Sequence, residues 1–202
     1  MKTIYLVRHG QTDYNKKGMF QGHIDVPLNE EGLSAAQNLQ KRLKNIKLVK
    51  IYVSDLIRTR QTAEPTAKDH NLPIITVPAL KEISFGKWEG LKIEEIKQKW
   101  PAEIKAVFFH PSTARVVGGE GFFEVQKRVR EALQQIIVEQ DEDTAILIVS
   151  HGGAIRMLLC AILDMNIDNM WKLTLDNVSI TKLYVKKDNF YLGYLNNIDG
   201  SV

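Results

Sequence analysis

The chain has one cysteine, six prolines and little surplus charge of either sign, and each shortage closes off a class of protein. Cys160 has no second cysteine to pair with, so no disulfide framework holds the fold. Its place in the apolar run 157–163 reads as burial in a reducing compartment. Lysine and arginine number 27 against 24 acidic residues, a net charge of +3, which is too small for the basic stripe of a duplex-binding domain. No nucleic-acid partner is expected. No uncharged apolar run approaches the ~20 residues that cross a bilayer, and residues 4–7 are too few for a signal-peptide core. The expectation is a cytoplasmic protein with no membrane partner. What remains is 202 residues, 44% apolar and 25% charged without a compositional block, which reads as one globular domain over residues 1–202.

Two short apolar runs stop abruptly at polar residues and glycine. Residues 4–7 end in Arg8-His9-Gly10, and residues 145–149 end in Ser150-His151-Gly152-Gly153. Continuous apolar runs bounded by glycine fit strands buried on both faces, as in a parallel sheet covered by helices. A third run, 51–53, ends in Ser54-Asp55 just before Arg58.

Helical spacing fills the gaps. One helix starts near Asn29, a fitting N-cap, and carries Leu33, Ala36, Leu39 and Leu43. A second covers 58–68, and the clearest covers 122–137, where Phe122, Val125, Val129, Leu133 and Ile136 share one face. A fourth follows Gly153. Residues 179–185 and 190–194 flank Lys186-Lys187-Asp188-Asn189, which reads as a hairpin at an antiparallel margin. The fold class that follows is α/β, a three-layer α/β/α sandwich with a mostly parallel central sheet. In such sheets ligands bind outside the carboxyl ends of the strands, where both histidine motifs fall.

A histidine at such an end can be a nucleophile. Neutral imidazole attacks phosphorus near pH 7 without a separate base, because its unperturbed pKa is ~6.5. Around His9, Arg8 and Arg58 would supply forked donors to phosphoryl oxygens, with His151 as a further donor. A departing ester oxygen needs a proton, for which a carboxylic acid in a partly dry pocket is the usual source. Glu82 and Glu89 are the candidates, in the loop-like stretch 80–90 with its two glycines and one tryptophan. Asn15 and Gln21 can add neutral donors, although turn formation explains them equally well. Trp88, Trp100 and Trp171 read as core or pocket wall. Singly, each of these residues reads as solvated or structurally satisfied; together at strand ends they form a constellation.

The combination resembles the histidine phosphatase superfamily, also called phosphoglycerate mutase-like, over nearly the whole chain. Residues 6–15, Leu-Val-Arg-His-Gly-Gln-Thr-Asp-Tyr-Asn, are similar to its opening signature, with His9 in place of the phosphorylated histidine and Asn15 in that of a phosphate contact. Residues 54–64 resemble the second block, in which Arg58 rather than Arg60 matches the phosphate-binding arginine. Glu82 matches the proton donor, and Ser150-His151-Gly152-Gly153 the block of the second histidine.

The resemblance implies that His9 takes the phosphoryl group while Glu82 protonates the leaving oxygen, and that water helped by Glu82 then hydrolyses phosphohistidine. No metal and no cofactor are implied. His9, Glu82, Arg8, Arg58 and His151 are expected around one tetrahedral anion, with Asn15, Gln21, Gly22 and Gly152 completing the substrate-binding set. The stretch between the Glu82 and His151 blocks is short, which favours a phosphatase over a mutase. Broad-specificity phosphatases and α-ribazole-phosphate phosphatases are equally similar. Gly121 stands where serine is common, so the helix after it lacks a serine cap.

The expected partner is a small organic phosphomonoester, with α-ribazole phosphate among the candidates; the family also permits a homodimer. Phe108, Phe109 and Trp100 suggest an apolar cover over the leaving group, although core packing explains them as well. Three alternatives stand beside this reading: a phosphoglycerate mutase-type phosphotransferase, a catalytically silent phosphate-binding module, and a metal hydrolase using His9, His151, His23 and Asp25. The intact set of five speaks against the silent module, and the lack of a local ligand spacing such as HExxH against the metal.

Overall fold

Residues 4–7 are apolar without interruption because both faces of their strand are covered. The computed structural model describes residues 1–187, 189–200 and 202. Its strands are β1 (Lys2–Arg8), β2 (Leu48–Val53), β3 (Ile74–Thr76), β4 (Ala145–Ser150), β5 (Ile180–Lys186) and β6 (Asn189–Asn197). They form one sheet in the order β3-β2-β4-β1-β5-β6. The first four strands in that order run parallel, with Arg8 beside Ser150 where β1 and β4 end together. β5 and β6 are antiparallel additions at one margin, as the sequence suggests. Asp188, in the expected hairpin turn, lies outside the described residues.

The helices are α1 (Asp13–Lys16), α2 (Glu30–Leu43), α3 (Ile57–His70), α4 (Ile93–Lys99), α5 (Pro101–Phe109), α6 (Phe122–Val138) and α7 (Gly152–Ile162). Ile4, Leu6, Ile146 and Ile148 pack with α6 and α7 on one face of the sheet, through Val125, Leu133, Ile155 and Leu159 among others. Tyr5, Val7, Leu147 and Val149 alternate with them and meet α2 and α3 through Leu39, Leu43, Ala63 and Ala67. This is the three-layer sandwich the alternation of runs implies. Each such aliphatic side chain, fully buried, contributes ~1.5–3 kcal/mol.

Local signals set the helix starts. Asn29 caps α2 by accepting from Gly32 N at 2.8 Å. Gly121 gives α6 no side-chain cap, as expected, but its N–H still donates to Glu124 Oε2 at 3.1 Å, so half of a capping box survives. α3 has no cap of its own. Its first N–H, on Ile57, donates instead to Asp25 Oδ1 at 2.7 Å, which ties a remote loop to the start of the helix. The stretch after Trp88, poorly patterned in sequence, folds into α4 and α5. Among the described residues, no helix is long and apolar enough to cross a membrane.

Candidate active site

β1 and β4 stop side by side, and the residues just beyond them form the floor of a cavity of about 220 Å³. His9 lines it. Its N–H donates to Ser150 O at 2.9 Å, extending the strand pairing by one step, while its carbonyl accepts from Asn177 Nδ2 at 2.8 Å. The ring Nδ1 is 2.7 Å from Gly10 O. A carbonyl only accepts, so Nδ1 carries the hydrogen and the lone pair of the neutral ring sits on Nε2. Burial, then Arg58 and Arg8, hold the His9 pKa well below its ordinary value, so the ring is a free base at neutral pH.

Arg58 opens α3 and is fully buried. Its Nη1 and Nη2 donate to Ile24 O and Gly22 O at 2.9 and 2.8 Å, and its Nε to His151 Nδ1 at 3.3 Å. Burial lowers its pKa to about 10, which leaves it charged at pH 7. Arg8 Nη1 donates to Leu175 O at 2.6 Å, while its Nε is buried without a partner. Val178 N in turn donates to Arg8 O at 2.9 Å, from a backbone at φ +61°, a strained conformation for a β-branched residue.

Glu82 also lines the cavity. Its Oε1 accepts from Ile83 N at 3.0 Å and Ala154 N at 2.9 Å, and its Oε2 from Gly153 N at 3.0 Å. Three N–H donors therefore fix the carboxyl group in place, two of them from the first turn of α7. A Cβ on Gly153 would lie 2.6 Å from Glu82 Oε1, which explains the glycine. Glu89, the other candidate acid, does not line the cavity. Its Oε1 accepts from His23 N and Phe85 N, both at 3.0 Å, and so braces the loop from within.

Asn15, Gln21, Gly22 and Gly152 line the cavity as expected. Thr12 Oγ1 engages the carbonyl ends of Asn15 and Gln21 at 3.1 and 3.0 Å, which leaves their NH₂ ends as donors.

His151 corrects the expectation of five side chains around one anion. It is fully buried and does not line the cavity; its ring lies 5.1 Å from that of His9, behind His9 and Arg58. Because Arg58 donates to Nδ1, the hydrogen is on Nε2, which donates to Ser54 Oγ at 2.7 Å. Burial and Arg58 keep this ring neutral too. The apolar cover is also only partly as expected. Phe108 reaches the cavity, but Phe109 is exposed and Trp100 packs against the core. Phe20, Phe85 and Trp171 supply the rest of the wall.

Sequence reading missed Arg156, which lines the cavity from the first turns of α7. The available signal was its spacing of four from Gly152, which puts the two on one helix face. It also missed Asn177, for which a loop position offers no signal. Among the described residues, Arg8, Arg58 and Arg156 form no ion pair. Nor do any three His, Cys, Asp or Glu side chains there cluster as metal ligands. His23 Nε2 instead pairs with Glu82 O at 2.8 Å, and Asp25 caps α3.

A strand-end histidine held as a free base between arginines, with a carboxylate across the cavity, defines a site for phosphoryl transfer. The chain matches the histidine phosphatase superfamily (branch 1) over residues 4–198 and belongs to that superfamily. It is 31% identical to phosphoserine phosphatase 1 of Hydrogenobacter thermophilus over 93% of this chain and 88% of that one. Against the adenosylcobalamin/alpha-ribazole phosphatase of Escherichia coli it is also 31% identical, over 86% and 85%. The solved structure of Bacillus stearothermophilus YhfR superposes with a TM-score of 0.94 at 34% identity, covering 98% of each chain. Family and relatives together support a phosphomonoester hydrolase.

Proposed function

We propose that this protein hydrolyses small organic phosphomonoesters through a phosphohistidine at His9. The observation that carries the reading is the tautomer: Nδ1 is tied to Gly10 O, so Nε2 is the free base, and it shares one cavity with Arg8, Arg58 and Glu82. Nε2 attacks phosphorus as the ester P–O bond breaks, and protonated Glu82 gives its proton to the leaving oxygen. The arginines carry the charge on the phosphoryl oxygens. Glu82, now a carboxylate, takes a proton from water as that water attacks phosphorus; the P–N bond breaks and neutral His9 returns. His151 orients Arg58 and packs beside His9.

A cavity of about 220 Å³ supports a small leaving group, since pockets for drug-sized ligands run ~300–1,000 Å³. The aromatic wall favours an organic one. We place the activity in the cytoplasm, in keeping with the buried, unpaired Cys160.

The test is phosphate release from a panel of monoesters that includes phosphoserine and α-ribazole phosphate, with acid quenching to trap the phosphoenzyme. Wild type should release phosphate and His9→Ala should neither release it nor become labelled. Near-normal turnover by His9→Ala would overturn the reading. So would isomerised phosphoglycerate with little phosphate released.

A further inference from the structure

Three arginines face the cavity, whereas a phosphoryl group held by Arg8 and Arg58 accounts for two. Arg156 is fixed as firmly as they are. Its Nε donates to Leu173 O at 2.8 Å and its Nη1 to Gly152 O at 3.1 Å, and its guanidinium stacks 5.6 Å from the centre of the Trp171 ring. Trp171 is locked in turn by its Nε1 donating to Val107 O at 2.7 Å and by Phe108, 5.2 Å away. Among the described residues Arg156 Nη2 has no hydrogen-bond partner, and the side chain lines the cavity. Gly152 separates it from the phosphoryl site: a Cβ there would lie 3.0 Å from Arg156 Nη1 and 3.3 Å from Arg8 Nε.

Charge makes the third arginine costly unless the substrate answers it. Asp176 lies within electrostatic reach of Arg8 and Arg156, but among the described residues no carboxylate pairs directly with Arg156, whose charge therefore faces the cavity without a partner. Partly buried and without an ion pair, that charge is stabilised by one more anionic group on the ligand. A carboxylate fits the free edge of a guanidinium clamped on an indole, since its two oxygens match the fork of donors.

We infer that Arg156, backed by Trp171, binds a carboxylate on the leaving group, so that the preferred substrates are small phosphomonoesters that also carry a carboxylate. This rests on the hydrolase reading above and names the substrate class for the same cavity.

The experiment compares kcat/KM within pairs that differ chiefly in the carboxylate: phosphoserine against phosphoethanolamine, and 3-phosphoglycerate against glycerol 3-phosphate. Wild type should favour the carboxylate member by about tenfold or more, the size of a charge-assisted hydrogen bond. Arg156→Gln should collapse that ratio towards one, and Arg156→Lys, which keeps the charge but not the fork, should retain part of it. Inhibition by inorganic phosphate supplies the control, because a carboxylate subsite leaves it far less affected than the ratio. Equal losses on both members of a pair, or weaker phosphate inhibition in proportion, would show that Arg156 grips the phosphoryl group or holds the fold, and would overturn the inference. So would a wild type indifferent to the carboxylate while still hydrolysing both members. Hydrolysis of no monoester at all would instead bring down the hydrolase reading, and the inference with it.

Discussion

Arg58 Nε donates to His151 Nδ1 across 3.3 Å, and both side chains are fully buried. Each fixes the other. The guanidinium keeps the imidazole neutral by occupying its acceptor nitrogen, and the imidazole sets the plane in which the arginine presents itself to the cavity. Ser54 closes the arrangement by accepting from His151 Nε2.

His151→Ala should therefore impair catalysis by misaiming Arg58 while leaving the nucleophile intact. We expect kcat to fall by about 100-fold, the cost of misplacing a catalytic group by ~1 Å, while phosphoenzyme still accumulates slowly in acid-quenched samples. Turnover within twofold of wild type would remove His151 from the machinery.

Glu82→Gln keeps the size of the side chain and cannot donate an acidic proton. The loss should track the leaving group, about 10²–10⁴-fold for alkyl phosphates, and much less for p-nitrophenyl phosphate, whose leaving oxygen needs no proton. Equal losses on the two esters would mean that Glu82 does not serve as the acid.

Gly153→Ala tests the placement of that acid without touching it. The added Cβ would sit 2.6 Å from Glu82 Oε1 and must displace the carboxylate or the helix. We expect a destabilisation of ~1–3 kcal/mol in urea unfolding, together with a leaving-group dependence like that of Glu82→Gln. A fully active variant would show that the tight approach is dispensable.

Stability should fall as pH drops below about 6.5. His9 and His151 are held neutral in the fold, so their folded pKa values lie well below the ~6.5 of the unfolded chain. The unfolded state then binds more protons below pH 6.5 and is favoured there. Two such groups cost up to ~2.7 kcal/mol per pH unit until their folded pKa values are reached. Burial pushes the Glu120 pKa up, but the contacts with Arg128 and Ser84 N together outweigh it and leave it lowered, so its contribution is lost only below about pH 4.5 and leaves this window clear. Urea midpoints between pH 7 and 5 measure the slope, and replacing His9 with glutamine should flatten it by about half. A midpoint independent of pH over that range would contradict the neutral histidines.

Much of this protein is legible along the chain because burial on both faces of a strand leaves a mark in composition. The runs 4–7 and 145–149 are apolar throughout, so the histidines that end them are found at the carboxyl edge of the sheet without coordinates. The five-residue face of α6 is readable for the same reason. β3, exposed and three residues long, and the short α4 and α5 carry no such mark.

The sequence alone determined the class of chemistry: which histidine ends which strand, which arginine and carboxylates accompany it, and how the layers alternate. These depend on residue type and local period. Tertiary structure decided which carboxylate faces the cavity and which braces a loop, why His151 stands behind Arg58, and that Arg156 reaches the site at all. Those outcomes depend on distances between segments as far apart as Glu82 and Gly153, or Arg58 and His151, and such distances exist only once the sheet has brought their ends together.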